Sequence, residues 1–138
     1  MKSLKYLSVI ILLSLSFSAC EDVLDLFDDP RDSFVGDWAA KEENSLKSTD
    51  YYNVTIEKSD TDSTAVFIKN FYAISFGASV KCIVDGSNIS IPEQTVSGFT
   101  IEGYGGMAFN GKTIDWSYTV DHNNGFIDPV TATYTKEN

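Results

Sequence analysis

The chain of 138 residues has only two cysteines, one histidine and ten basic residues, and these scarcities exclude several classes of protein. Two cysteines cannot frame a disulfide scaffold, and one histidine without a cysteine cluster offers no zinc-ligand spacing. Twenty acids against ten Lys and Arg give a formal charge of −10. A nucleic-acid binder needs a basic patch to release counterions from phosphate, and docking on an anionic membrane surface needs the same sign of charge. No apolar run reaches the roughly 20 residues of a spanning helix. Leucine, a strong helix former, is nearly missing beyond residue 32, where only Leu46 remains. What is left has room for one domain.

The apolar residues that do cluster lie at the N-terminus. Lys2 and Lys5 precede an apolar run from Tyr6 to Phe17, followed by Ser18-Ala19, the charged, apolar and small-residue regions of an export signal. Phe17-Ser18-Ala19-Cys20 resembles the bacterial lipobox, in which the cysteine is lipidated after cleavage; Phe17 stands where Leu, Val or Ile is usual, a variation admitted by lipoboxes of Bacteroidota-type bacteria. The expectation is a lipoprotein signal peptide over 1–19 and a diacylglyceryl (palmitate-bearing) Cys20 that holds the protein on a membrane. Loss of Lys2 and Lys5 moves the charge from −10 to −12. Six acids (Glu21, Asp22, Asp25, Asp28, Asp29, Asp32) against Arg31 make residues 20–32 read as a solvated acidic tether. Such a stretch after the lipidated cysteine resembles the signals that carry some Bacteroidota lipoproteins to the outer face of the outer membrane. A cell-envelope, outer-membrane and surface-exposed location is expected.

Residues 33–138 carry β-branched and aromatic residues in place of leucine, types that suit a pleated, half-buried surface. Ile114, Trp116, Tyr118 and Val120 alternate with Thr113, Asp115, Ser117 and Thr119; Val130, Ala132 and Tyr134 alternate with threonines; Tyr52, Val54 and Ile56 repeat the pattern, as do Val80, Cys82 and Val84. Each strand has one face for a core and one for water. Asp85-Gly86 and Asn110-Gly111 supply the positive φ of tight hairpins, and the polar stretches 59–63 and 121–125 turn the chain as well. The fold class is all-β: an antiparallel meander of eight to nine strands, closed into a barrel so that no edge is left open. Trp38, Phe67, Phe99, Ile101, Phe109, Trp116 and Tyr118 are expected to point inward.

Phe34-Val35-Gly36-Asp37-Trp38 opens the first strand, and Gly-x-Trp at that place resembles the lipocalins and the wider calycin barrels. The resemblance covers about residues 34–136 as architecture and three residues as motif. It implies that Trp38 packs across the closed end of the barrel under a basic side chain of the last strand. The only arginine, Arg31, precedes the first strand, so Lys136 is the candidate. Together with the lipobox and the acidic tether, the layout is similar to small lipocalin-like lipoproteins of Bacteroidota-type bacteria. That likeness implies carriage of a small hydrophobic ligand, with Phe71, Tyr72, Phe76, Trp116 and Tyr118 as lining.

The alternative is a filled barrel that serves as a protein-interaction, inhibitor or structural module. An eight-stranded barrel is just wide enough to be filled by side chains or to hold one small ligand, and the short strands and bulky inward set favour filling. Phe71 to Gly77, with three aromatics and no clean alternation, reads either as the mouth of a cavity or as a strand or loop over the barrel end. His122 falls in the turn sequence Asp121-His122-Asn123-Asn124-Gly125 and reads as solvated; Asp121, Asn123 and Asp128 lack the spacing of a calcium loop. Glu102 and Asp115 lie on polar strand faces, and Cys82 on an apolar one, as an inert core thiol. No nucleophile, acid and base stand grouped. Binding, not catalysis, is expected, with no cofactor, metal or nucleic acid. The expected partners are the membrane, through Cys20, and a small hydrophobic ligand or an envelope protein.

Overall fold

The computed structural model describes residues 28–138; the expectations for the export signal, Cys20 and most of the tether lie outside the described residues. Eight strands follow one another: β1 (Gly36–Glu43), β2 (Thr49–Lys58), β3 (Ala65–Lys69), β4 (Ser79–Asp85), β5 (Asn88–Val96), β6 (Phe99–Met107), β7 (Thr113–Asp121) and β8 (Ile127–Lys136). Each pairs antiparallel with the next, and β8 returns to β1 from Trp38↔Lys136 to Glu43↔Thr131, closing the barrel. The alternation legible in the sequence becomes the inside and outside of the wall. Trp38 and Ala40, Val54 and Ile56, and Ile114 to Val120 at every second position are buried.

Two aromatics do not take the inward places expected of them. Phe67 lies on the opposite phase to the buried Val66 and Ile68 and is half-buried on the outer wall. Phe109 is fully exposed, because β6 ends at Met107 and the chain has already entered the turn around Gly111. The short segment after β3 is a single 3-10 turn, Phe71–Ala73, laid over the barrel end.

The end that holds Gly36 and Lys136 is closed from below by the segment that precedes β1. Pro30–Ser33 forms a 3-10 turn capped by Asp29, so the fold begins earlier than the expected tether boundary at residue 32. Arg31 explains the shift. Its guanidinium donates to the carbonyls of Ser59, Asp62 and Ala65 and to the Asp29 carboxylate, so this buried charge is fully partnered. The Arg31 hydrogen bond holds the Asp29 carboxyl well below its usual range, and Lys58 helps from beside it. Above Arg31, the Trp38 indole donates to the Phe34 carbonyl at 2.8 Å, and Lys136 Nζ stands 5.2 Å from the Trp38 ring centroid, within cation–π range. Gly36 adopts φ +129, open only to glycine, which lets the chain turn from the 3-10 segment into the strand.

One seam of the wall is repaired by a side chain. Pro92 has no N–H to give the ladder, and the register shifts between Ile91 and Gln94. The Gln94 amide replaces the missing strand: its Oε1 accepts from the Lys81 N–H at 2.9 Å, and its Nε2 donates to the carbonyls of Lys81 (2.7 Å) and Pro92 (2.9 Å). Gln94→Leu should therefore strand both Lys81 backbone groups and cost about 1–3 kcal/mol, read as a lower urea midpoint with an unchanged m-value.

Candidate functional site

The upper end, away from Trp38, is where loops 44–48, 70–78, 97–98 and 122–126 meet. Loop 70–78 holds three non-glycine residues at positive φ, namely Asn70 (62°), Tyr72 (54°) and Ala73 (53°), conformations that cost energy and persist only where surroundings fix them. The Asn70 side chain is tied to the Asn53 carbonyl at 2.8 Å. The result is to drive Phe71 down into the barrel, where it is 1% exposed. Its ring lies 4.6 Å from that of Tyr118 and meets Trp116 edge-on at 6.3 Å. Phe71 is a plug.

Near the upper end of β1 is a buried carboxyl. Glu42 is on the inward phase of β1, two residues beyond Ala40, and is 3% exposed. Its Oε2 accepts from the hydroxyls of Tyr52 and Tyr118, the latter at 2.5 Å. No cationic side chain among the described residues pairs with it. Burial pushes the Glu42 carboxyl above its usual range against the pull of the two tyrosines, and the neighbouring Asp50 and Asp128 add to the rise. Tyr134 is fully buried on β8, its hydroxyl beside that of Tyr52. The Trp116 indole N–H is buried without an acceptor. Burial, with the charges around Glu42, holds the Tyr52, Tyr118 and Tyr134 phenols far above their ordinary range.

A second polar layer seals the rim. Asp128 Oδ2 accepts from the Tyr72 hydroxyl at 2.7 Å, and its Oδ1 from the amide and hydroxyl of Ser45 at 3.0 and 2.8 Å. Burial works against the Asp128 charge, but the Ser45 and Tyr72 bonds and the nearby His122 outweigh it and lower the carboxyl. His122, read from the sequence as a solvated turn residue, is instead half-buried, its Nε2 3.2 Å from the Tyr72 hydroxyl and its ring against Phe99 and Phe126.

Of the five lining residues read from the sequence, Phe71, Trp116 and Tyr118 come together inside, and Tyr72 closes the rim above them. Phe76 does not join them. It is 57% exposed at the tip of a tight turn in which Ser75 Oγ accepts from the Gly77 N–H, and it faces outward. Glu42 was missed, although it continues the phase of Trp38 and Ala40 on β1; Tyr134 was read only as an inward strand residue and Asp128 only as a turn oxygen without calcium-loop spacing, and the structure puts both on the inward phase Asp128-Val130-Ala132-Tyr134 of β8. Elsewhere, Glu102 and Asp115 are exposed, and Cys82 is buried with its thiol pushed up by desolvation. Among the described residues no group of three His, Cys, Asp or Glu stands close enough to hold a metal ion. An open groove of about 990 Å³ runs along the outer wall between Glu43, Tyr104, Thr119 and Thr131.

The carboxyls set a pH dependence with two limbs. Glu42 binds its proton more tightly when folded, so its contribution is complete below the unfolded value of 4.5 and is lost as pH rises through the elevated folded value. Asp62, lowered to about 2 by the hydroxyl and amide of Thr64 and by Lys81, contributes above its unfolded value of 3.8 and loses that contribution as pH falls toward 2. Thermal melts should peak in acid, at about pH 4, between the two unfolded values, and Glu42→Gln should flatten the alkaline limb alone; identical profiles for both proteins would contradict this assignment.

No family model matches the chain, and no curated protein matches it in sequence. Solved structures do. A redesigned beta barrel, b11L5F_LGL, superposes with a TM-score of 0.61 at 11% identity, over 81% of this chain and 98% of that one. EF1p2_mFAP2b bound to DFHBI superposes with a TM-score of 0.57 at 10% identity, over 80% of this chain and 100% of that one. At such identities the likeness is one of fold: a closed, eight-stranded antiparallel barrel.

Proposed function

We propose that this domain is a lipocalin-like binding module of the cell envelope, anchored by a lipid on Cys20, which admits a small, largely apolar ligand at its upper end when Phe71 withdraws. One observation carries the reading. A polar group inside a core is ordinarily satisfied or replaced, yet here a carboxyl and an unpartnered donor, Trp116 Nε1, sit among aromatic rings under a strained loop. A purely structural core gains nothing from that arrangement, whereas a ligand site needs a few convergent polar groups in an apolar wall. That a protein of similar fold is bound to DFHBI supports the reading. Residues 30–33 lie at the lower end, opposite the ligand end. Among the described residues no nucleophile, acid and base stand grouped, and the reading is one of binding. Titration with a panel of fatty acids and aromatic lipophiles should quench tryptophan emission and raise Tm; a panel that does neither overturns the proposal.

A second reading, a protein-interaction module with its barrel filled, is favoured by the rim itself. Leu46, Phe76, Phe126 and Ile127 are 76%, 57%, 39% and 59% exposed and lie on the upper loops or at their edge, an apolar crown of the kind that marks interaction sites. Polar replacement of Leu46 and Phe76 together should abolish capture of an envelope partner under this reading and leave small-ligand binding intact.

A further inference from the structure

The polar groups of the interior also indicate the charge of what they bind. Glu42 is buried, its Oε2 is held by two phenol hydroxyls, and its Oε1, not fully enclosed, takes no hydrogen bond from any described residue. The charged groups that act on it are Asp50 and Asp128, both of its own sign. The nearest lysines are committed elsewhere or outside: Lys41 pairs with Glu43 on the outer wall at 3.6 Å, and Lys47 is exposed on the loop. A buried carboxylate without a counter-ion is costly, and this one stands at an acidic end of an acidic protein.

Around it the walls are aromatic. Phe71 faces Tyr118, Trp116 lies 5.4 Å from Tyr134, and Tyr52 reaches in from β2. Aromatic faces attract organic cations, more strongly when water is excluded. The polar groups among these rings fit the same guest. The Tyr134 hydroxyl has lone pairs for an ammonium N–H, and the Trp116 N–H has a proton for an oxygen on the ligand body.

We infer that the ligand of this site is a small organic cation, an amine on a flat apolar body bearing an oxygen, with Glu42 as its counter-ion and Tyr52, Phe71, Trp116, Tyr118 and Tyr134 as its cage. The inference rests on the proposal that the barrel interior binds a ligand, and specifies what that ligand must carry.

Three molecules with one body and different charge test it: tyramine (cation), 2-(4-hydroxyphenyl)ethanol (neutral) and 4-hydroxyphenylacetate (anion), titrated calorimetrically into the wild-type protein and Glu42→Gln. Tyramine should bind at least about tenfold more tightly than the alcohol, the anion most weakly, and Glu42→Gln should erase the preference, bringing tyramine to within about threefold of the alcohol. Tyr134→Phe removes only a hydroxyl that stands beside that of Tyr52; it should weaken tyramine about threefold or more without unfolding the barrel, and serves if Glu42→Gln does not fold. Equal binding of cation and alcohol, or no effect of either substitution on tyramine, overturns the inference and leaves interior binding standing. Silence to all three in a protein that binds larger lipophiles also removes the cation alone. Silence to all ligands removes both proposals.

Discussion

Gly103→Ala should come close to abolishing the fold, while Gly106→Ala, three residues along the same strand, should leave it intact. A Cβ built on Gly103 would stand 2.3 Å from the Cβ and 2.6 Å from the Cα of Tyr118, and 2.6 Å from the Ser117 carbonyl oxygen. All three are backbone atoms or the fixed stem of a side chain, so no rotamer change relieves the clash. β6 and β7 must part at the Gly103↔Tyr118 pair, and overpacking of this kind costs at least about 3 kcal/mol out of a typical total of about 5–15. At Gly105 the new Cβ would meet the Trp116 ring at 2.8 Å; a ring can slide, so Gly105→Ala should be intermediate. At Gly106 nothing lies within 4 Å, and the change should stay within about 0.5 kcal/mol. Urea denaturation of the three variants gives the order directly, and equal stabilities for the first and last would contradict it. The two costly glycines sit opposite Tyr118 and Trp116, so the room for the aromatic wall of the site comes from side chains missing on β6.

Phe71→Ala should lower stability and raise affinity together. Removing a fully buried phenylalanine costs about 3–5 kcal/mol, and at about 3 kcal/mol the Tm of a domain this size falls by roughly 15 °C. The void would open against Tyr118 and Trp116, where the proposed ligand goes. In the wild-type protein a ligand must first expel the Phe71 ring, whereas in the variant that step is absent. Tyramine should then bind Phe71→Ala at least about tenfold more tightly, and at one hundred times its Kd should return about 2.7 kcal/mol of stability. A plain core residue gives the first effect and a dry cavity that takes 2-(4-hydroxyphenyl)ethanol at least as well as tyramine. Loss of stability with unchanged or weaker tyramine binding would mark Phe71 as packing only.

Most of the fold was legible because the barrel is built from local rules. Period-two alternation placed Ile114 to Val120 and Val130 to Tyr134, and Asp85-Gly86 and Asn110-Gly111 placed two hairpins. Pro92 hid the length of β5, since its continuation depends on the Gln94 side chain reaching across to Lys81, a long-range contact with no local signature. Phe109 was misplaced because hydrophobicity says nothing about where a strand stops. The site was legible only in part. Trp116 and Tyr118 declared themselves as inward aromatics, but Glu42 and Asp128 are acids on inward phases, and a polar residue at a core position looks in sequence like the end of a strand. His122 looked solvated because its partners, Tyr72, Phe99 and Phe126, come from three separate segments. Arg31 sat within a run of acids that read as tether, and only the three carbonyls it gathers from residues 59–65 show that it belongs to the fold.

The chain contains two tryptophans, Trp38 at the closed end of the barrel and Trp116 midway along β7, and their indole N–H groups allow one direct measurement. In a 15N-correlated NMR spectrum of the protein titrated with tyramine, the Trp116 indole resonance should move, because its N–H is buried without an acceptor beside the proposed ligand. The Trp38 resonance, bonded to the Phe34 carbonyl at the closed end, should stay in place. A shift at Trp38 with Trp116 unmoved, or shifts confined to amides of the outer wall, would contradict a ligand site inside the upper end of this barrel.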